Sequence, residues 1–257
     1  MSNLSDIGFP VQSEHDVNEI LMQVLGKAKE IRCSHGLYLK FSDVSGAEMY
    51  LQGNFDHELI GFNPHFAGKS RRLVGLTKAI ERDSSELDGG FHAWAEPGGE
   101  DVETSGAYPF VFDVPDFRIN KINDFPKIRE IQLTAFASND FKMFESKAEF
   151  YDSQDSEPKF SSTFFVPSGL FLPDENMTPI EPPRPIGTFA GEIKEFEFKI
   201  NGLTNEKFYW FLVETFGGEI DVVADPKLVF AEPKIGGIVR GQFWLSGRLT
   251  DLKNKGE

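Results

Sequence analysis

The chain has 257 residues, 40% of them apolar and 26% charged, which excludes a disordered tail or a fibre and allows one large domain or two modest ones. Its 41 Asp and Glu outnumber 26 Lys and Arg, and the net charge of −15 works against phosphate backbones and anionic membrane faces. The acidity is uneven: residues 186–257 carry 11 acidic and 9 basic side chains, and the first 185 residues carry 30 and 17.

Phenylalanine sets the fold class. There are 26 Phe against 3 Trp and 5 Tyr, cut into short runs by 24 Gly and 15 Pro. Aromatic rings suit a pleated, half-buried surface. Short aromatic runs between turn residues predict an all-β, mainly antiparallel protein with one N-terminal helix. Cys33 is the single cysteine, so no internal disulfide can form. No apolar run has the length of a signal peptide or a membrane span, and the reading is a soluble, cytoplasmic protein.

Ser13 precedes Val17, Ile20, Leu21, Val24 and Leu25 at helical spacing, which predicts a helix over 14–28 capped by the serine. Strands follow. Leu37 to Phe41 and Glu48 to Leu51 flank the turn Asp43-Val44-Ser45-Gly46 and read as a hairpin. Further strands are expected at 58–62, 72–76, 90–94, 108–112 and 130–136, with Ile131, Leu133 and Ala135 on one face, and at 160–166. Five prolines at 173, 179, 182, 183 and 185 mark a stiff connector over 173–186. It separates an acidic β-rich domain, 1–172, from a C-terminal module, 187–257. In that module Phe208 to Val213 is apolar on both faces, Gly217-Gly218 is a hairpin turn, and Gly236-Gly237 precedes a closing strand. One face of that strand holds Val239, Phe243, Leu245 and Leu249, and the other holds Arg240, Trp244, Ser246 and Arg248. Five strands with glycine at the bends resemble an OB-type barrel in pattern.

Candidate chemistry is sparse. Gly68-Lys69-Ser70 invites a phosphate-loop reading, but position 63 is Asn where that loop needs glycine, and a strand follows instead of a helix. His57, His65 and His92, with acids at 56 and 58, are the candidate metal or acid–base residues, although no spacing among them forces convergence. Arg240, Trp244 and Arg248 are the candidate ligand platform, since arginines flanking an indole can stack bases. The expectation is a non-catalytic binding protein with a protein partner, no cofactor, no nucleic acid and no membrane, and nothing in the pattern fixes an oligomeric state. The alternatives are a hydrolase with a composite His/carboxylate site near His57 and His65, and an OB-like nucleotide or single-strand binder acting through Arg240, Trp244 and Arg248.

Overall fold

The structure, a computed structural model, describes residues 4–98, 105–120, 122, 124–155, 157–168 and 183–250. A 3-10 turn, Ser5–Ile7, leads to helix α1, Glu14–Leu25. The Ser13 hydroxyl accepts from the Asp16 N–H, and the Asp16 carboxylate accepts from the Ser13 N–H, so two orphan donors of the helix start are satisfied reciprocally. Ile20 and Val24 are buried, and the helix stops at Gly26 rather than running to 28.

Four strands form a meander in chain order: β1, Lys29–Cys33; β2, Gly36–Ser42; β3, Ala47–Gly53; and β4, Leu59–Phe66. All their pairings are antiparallel. The β2–β3 turn needs Gly46, which has φ 97° and sits so close to Phe66 that a Cβ would lie 2.8 Å from its ring.

The remaining strands form one ten-stranded sheet. Its first members are β5, Arg72–Glu81; β6, Gly89–Ala95; β7, Tyr108–Asp113; β8, Lys127–Ala137; and β9, Lys142–Phe144. After a short helix α2, Lys147–Asp152, come β10, Phe165–Pro167; β11, Ile186–Ile200; β12, Lys207–Thr215; β13, Gly218–Ala224; and β14, Ile238–Thr250. Pairing runs around two closed circuits. One passes β11, β12, β13, β8 and β14 and returns to β11; the other passes β8, β5, β6, β7 and β14 and returns to β8. Among the described residues only the β13–β8 and β14–β7 pairings are parallel.

The C-terminal strands β11 to β14 do lie in one circuit, but they do not close it by themselves: β8, from residues 127–137, stands between β13 and β14. Strand pairing crosses the boundary expected at 173–186, a segment of which 173–182 lie outside the described residues.

Period-two alternation divides the apolar residues between two cores. Leu133, Ala135, Phe211, Val213, Val239, Phe243 and Leu245 point into the circuits with Phe91, Phe110 and Phe112. Their neighbours Phe136, Trp210 and Leu212 face the other way and pack with α1 and the meander through Ile20, Val24, Met49, Leu51 and Phe66. In β11 the apolar residues Ile193, Phe196 and Phe198 are spaced three and then two apart. The register shift between Ile193 and Glu195 explains this, because one extra residue resets the alternation.

Two segments differ from expectation. The strand expected at 160–166 is confined to β10, and Phe160 is half-exposed. Its backbone bonds the Gln154 side chain on both sides, N–H to Oε1 at 2.7 Å and carbonyl to Nε2 at 3.2 Å, so no sheet partner is needed. Helix α2 has six residues, too few to show a 3.6-residue stripe, and is anchored by the buried Phe150.

A fragment 187–250 would leave β13 without β8 and β14 without both β8 and β7. It is expected to lack a cooperative thermal transition by circular dichroism, whereas the whole chain shows one; a cooperative fragment melt would contradict this.

Candidate functional site

The Gly68–Ser70 turn does cradle an anion, but an internal one. The backbone N–H groups of Lys69 and Ser70 donate to the two oxygens of Asp221 on β13, each at 2.9 Å. A Cβ on residue 68 would lie 2.1 Å from the Asp221 carboxyl carbon, so this approach requires glycine. Trp210 Nε1 donates to Asp221 Oδ1 and Gln132 Nε2 to Oδ2, both at 2.8 Å. Asp221 is fully buried and receives four hydrogen bonds from three other parts of the chain.

That carboxylate sets the polarity of what lies beyond it. A carboxylate can only accept, so the group of Gln132 facing Asp221 is its NH₂, which also donates to Thr134 Oγ1. The amide oxygen therefore faces His65 Nε2 at 2.9 Å and requires a proton on that nitrogen. His65 Nδ1 is then the acceptor for Ser246 Oγ, also at 2.9 Å. Ser246, His65 and Gln132 so reproduce the order of nucleophile, base and orienting group.

The burial of the array decides what it can do. His65 is fully enclosed between β4, β8 and β14, and Ser246 and Gln132 are buried with it. Burial, reinforced by the Arg248 charge and only partly offset by Glu48, pushes the His65 pKa down to about 3. The ring is neutral at neutral pH and no acyl group can reach Ser246 without parting the sheets. The array joins the meander to the ten-stranded sheet.

A second polar group lies beside it. Glu48 on β3 is buried and bonded by Lys40 Nζ at 2.8 Å, Arg248 Nη1 at 3.2 Å, Tyr50 Oη at 3.0 Å and Ser42 Oγ at 3.0 Å. Burial works against its charged form, and the Arg248 and Lys40 cations work in favour of it. Nearby, burial pushes Asp116 up, against the pull of Arg248.

These contacts account for part of the platform expected on β14. Arg248 is committed to Glu48. Trp244 is half-buried, lies 5.0 Å from the Phe136 ring and donates Nε1 to Asp113 Oδ2 at 3.1 Å. Asp113 also binds Arg82 in a partly buried ion pair. Arg240 sits at the other end of the strand, opposite Lys142 and Ala190.

The other histidines do not join His65. His57 is exposed in the β3–β4 turn with φ 62°, and His92 on β6 contacts Thr77 Oγ1 at 2.6 Å. Burial, with the Lys78 charge, lowers the His92 pKa. Among the described residues no three His, Cys, Asp or Glu side chains gather closely enough to hold a metal ion. Sequence reasoning also passed over Arg72. It is buried, donates to Tyr108 Oη at 3.0 Å and to the Gly217 carbonyl, and stacks 5.5 Å from the Phe110 ring. Only the basic residue itself signals it, at a strand position that reads as edge.

An open concavity lies elsewhere. A groove of about 960 Å³ runs between the start of α1, the β11–β12 end and the turn after β13. Pro10, Val11, Val17, Phe198 and Pro226 supply apolar wall, and Glu14, Glu206, Lys207 and Lys227 stand among them. Behind it the buried Asp6 accepts from the Asp225 N–H at 2.9 Å, and burial, reinforced by the Asp225 charge, raises the Asp6 pKa well above the usual value.

Two outcomes follow. Asp221→Ala leaves four donors unmet, three of them on buried residues, and is expected to cost roughly 3–5 kcal/mol of unfolding free energy in urea titration; a loss below about 1 kcal/mol would refute the hub role. His65 stays neutral in the fold down to about pH 3, whereas the unfolded ring takes up a proton near pH 6.5. The unfolded state thus binds more protons below pH 6.5, and this residue removes about 1.4 kcal/mol of stability per pH unit as pH falls. The buried acids Asp6, Asp113 and Asp116, with raised pKa values, act in the opposite sense, so the comparison must be with a variant. The stability gap between parent and His65→Gln should narrow steadily from pH 7 to 5; a constant gap would show that His65 does not titrate this way.

No family model, curated protein or solved structure matches the chain, and no helix among the described residues is long and apolar enough to cross a membrane.

Proposed function

We propose that this is a non-catalytic binding protein whose partner is an extended segment of another protein, received in the groove between α1, the β11–β12 end and the turn after β13. One observation carries the reading: acid–base geometry and open concavity lie in different places. The Ser246–His65–Gln132 array has nucleophile order but no access. The groove is open, with apolar wall from Pro10, Val11, Val17, Phe198 and Pro226 and charges of both signs among them. Apolar contact with a polar rim is how protein surfaces recognise one another. The net charge of −15 supports a protein rather than a polyanion as the partner.

Displayed libraries of extended peptides provide the test. Selected peptides are expected to carry apolar side chains, to lose about tenfold or more in affinity by fluorescence anisotropy on Val17→Glu, and to bind His65→Gln unchanged, since a charge set into an apolar contact costs more than about 1.4 kcal/mol. Peptides that ignore Val17→Glu, or a library that yields no binder, would overturn the reading.

A further inference from the structure

We infer that the outer edge of β11 over residues 195–200 is a self-association surface, on which a second copy of this chain pairs antiparallel with its symmetry centre at Phe198. This goes beyond the groove reading and uses different residues for its test.

The edge is open. β14 occupies it from Ile186 to Glu192, and Ile193 exchanges bonds with Gly236 and Gly237. Beyond that point, among the described residues, β11 pairs only with β12 on its other side. A row of backbone N–H and C=O groups is thus left facing outward, which is a template for another strand. The segment is also apolar where it should be wet. Phe196, Phe198 and Ile200 are 39%, 45% and 52% exposed on one face, continued by Tyr209, whose ring lies 4.7 Å from that of Phe198. The opposite face carries Glu195, Glu197 and Lys199, with Lys199 lying over the Trp210 ring and paired to Glu197 at 2.9 Å.

Charge selects both the occupant and the register. In an antiparallel pair, residues directly opposite share a face, so two copies keep their apolar stripes together only when the register centres on a single residue. Centring on Glu197 sets that carboxylate against its own copy. Centring on Lys199 does the same with an ammonium, and centring on Phe196 opposes Glu195 to Glu197 twice. Centring on Phe198 sets Glu197 against Lys199 twice, Phe196 against Ile200 twice, and Phe198 against itself. Opposite charges and aromatic or β-branched pairs directly across strands stabilise, and like charges destabilise. The edge is self-complementary in that register alone among the four.

Sedimentation equilibrium with charge variants tests this. The parent is expected to pass from one chain to two as concentration rises. Lys199→Glu alone and Glu197→Lys alone each set like charges opposite one another and should weaken self-association by about tenfold. An equimolar mixture of the two variants restores opposite charges at both contacts and should recover the dimer as a heterodimer. Melting curves for each variant, with the mixture itself, separate lost pairing from lost folding. A parent that stays a single chain at every concentration, variants that associate like the parent, or a mixture no better than its components would each overturn the inference. A monomeric parent whose 195–200 amides become exchange-protected by an added apolar peptide assigns the edge to another protein's strand and overturns it too. None of these outcomes depends on Val17, so failure here leaves the groove reading standing.

Discussion

Asp221 holds a carboxylate where water does not reach it, and four parts of the chain are arranged around its two oxygens. The turn before β5 supplies two backbone donors, β8 supplies Gln132, β12 supplies Trp210, and β13 carries the carboxylate itself. A buried carboxylate without donors is far more costly than the fold could tolerate. The positions of these elements are therefore mutually fixed. The direction of each bond is fixed as well: the acceptor at Asp221 orients the Gln132 amide, the amide oxygen accepts from His65 and so selects the tautomer with its proton on Nε2, and the remaining nitrogen accepts from Ser246. One charge sets the proton positions along a path that ends on the last strand.

The local grammar of the fold was legible in the sequence because it depends on neighbours. The capped helix, the hairpin at Gly46, the Gly217-Gly218 turn and the two faces of β14 all follow from a period of two or 3.6 and from residues that tolerate particular dihedrals. What sequence could not show was which strand completes a ring. The β13–β8 and β14–β8 pairings join segments about a hundred residues apart, and no local pattern marks them. The polar network escaped for the same reason. Gly68-Lys69-Ser70 lacks the spacing of a phosphate loop and reads as a surface turn, and nothing near it in sequence marks Asp221, about 150 residues on, as the anion it holds. His65 was singled out, but its partners Gln132 and Ser246 lie 67 and 181 residues away.

Several polar groups that look reactive are spent inside this molecule. Between the meander and the ten-stranded sheet, His65, Glu48 and Arg248 are held by one another or by neighbours. Among the solvent-facing features are a groove with apolar wall and a strand edge bearing alternate Phe and Ile. Both lie at the β11–β12 end and meet at Phe198, so occupation of one alters the surface presented by the other.

The double circuit also dictates when this molecule can finish folding. β14 is the last strand of the described residues, and both rings close through it, with Leu245 meeting Ala135 across 110 residues of chain. During synthesis the earlier strands can form the meander and the β5–β6–β7 ladder, but neither ring can shut before the last strand has emerged. Assembly is therefore governed by distant contacts, which makes it slow. Until closure, the β7 and β8 edges and the phenylalanines behind them stay open to other chains. The interval before closure is when this protein most depends on dilution or on a chaperone to avoid aggregating.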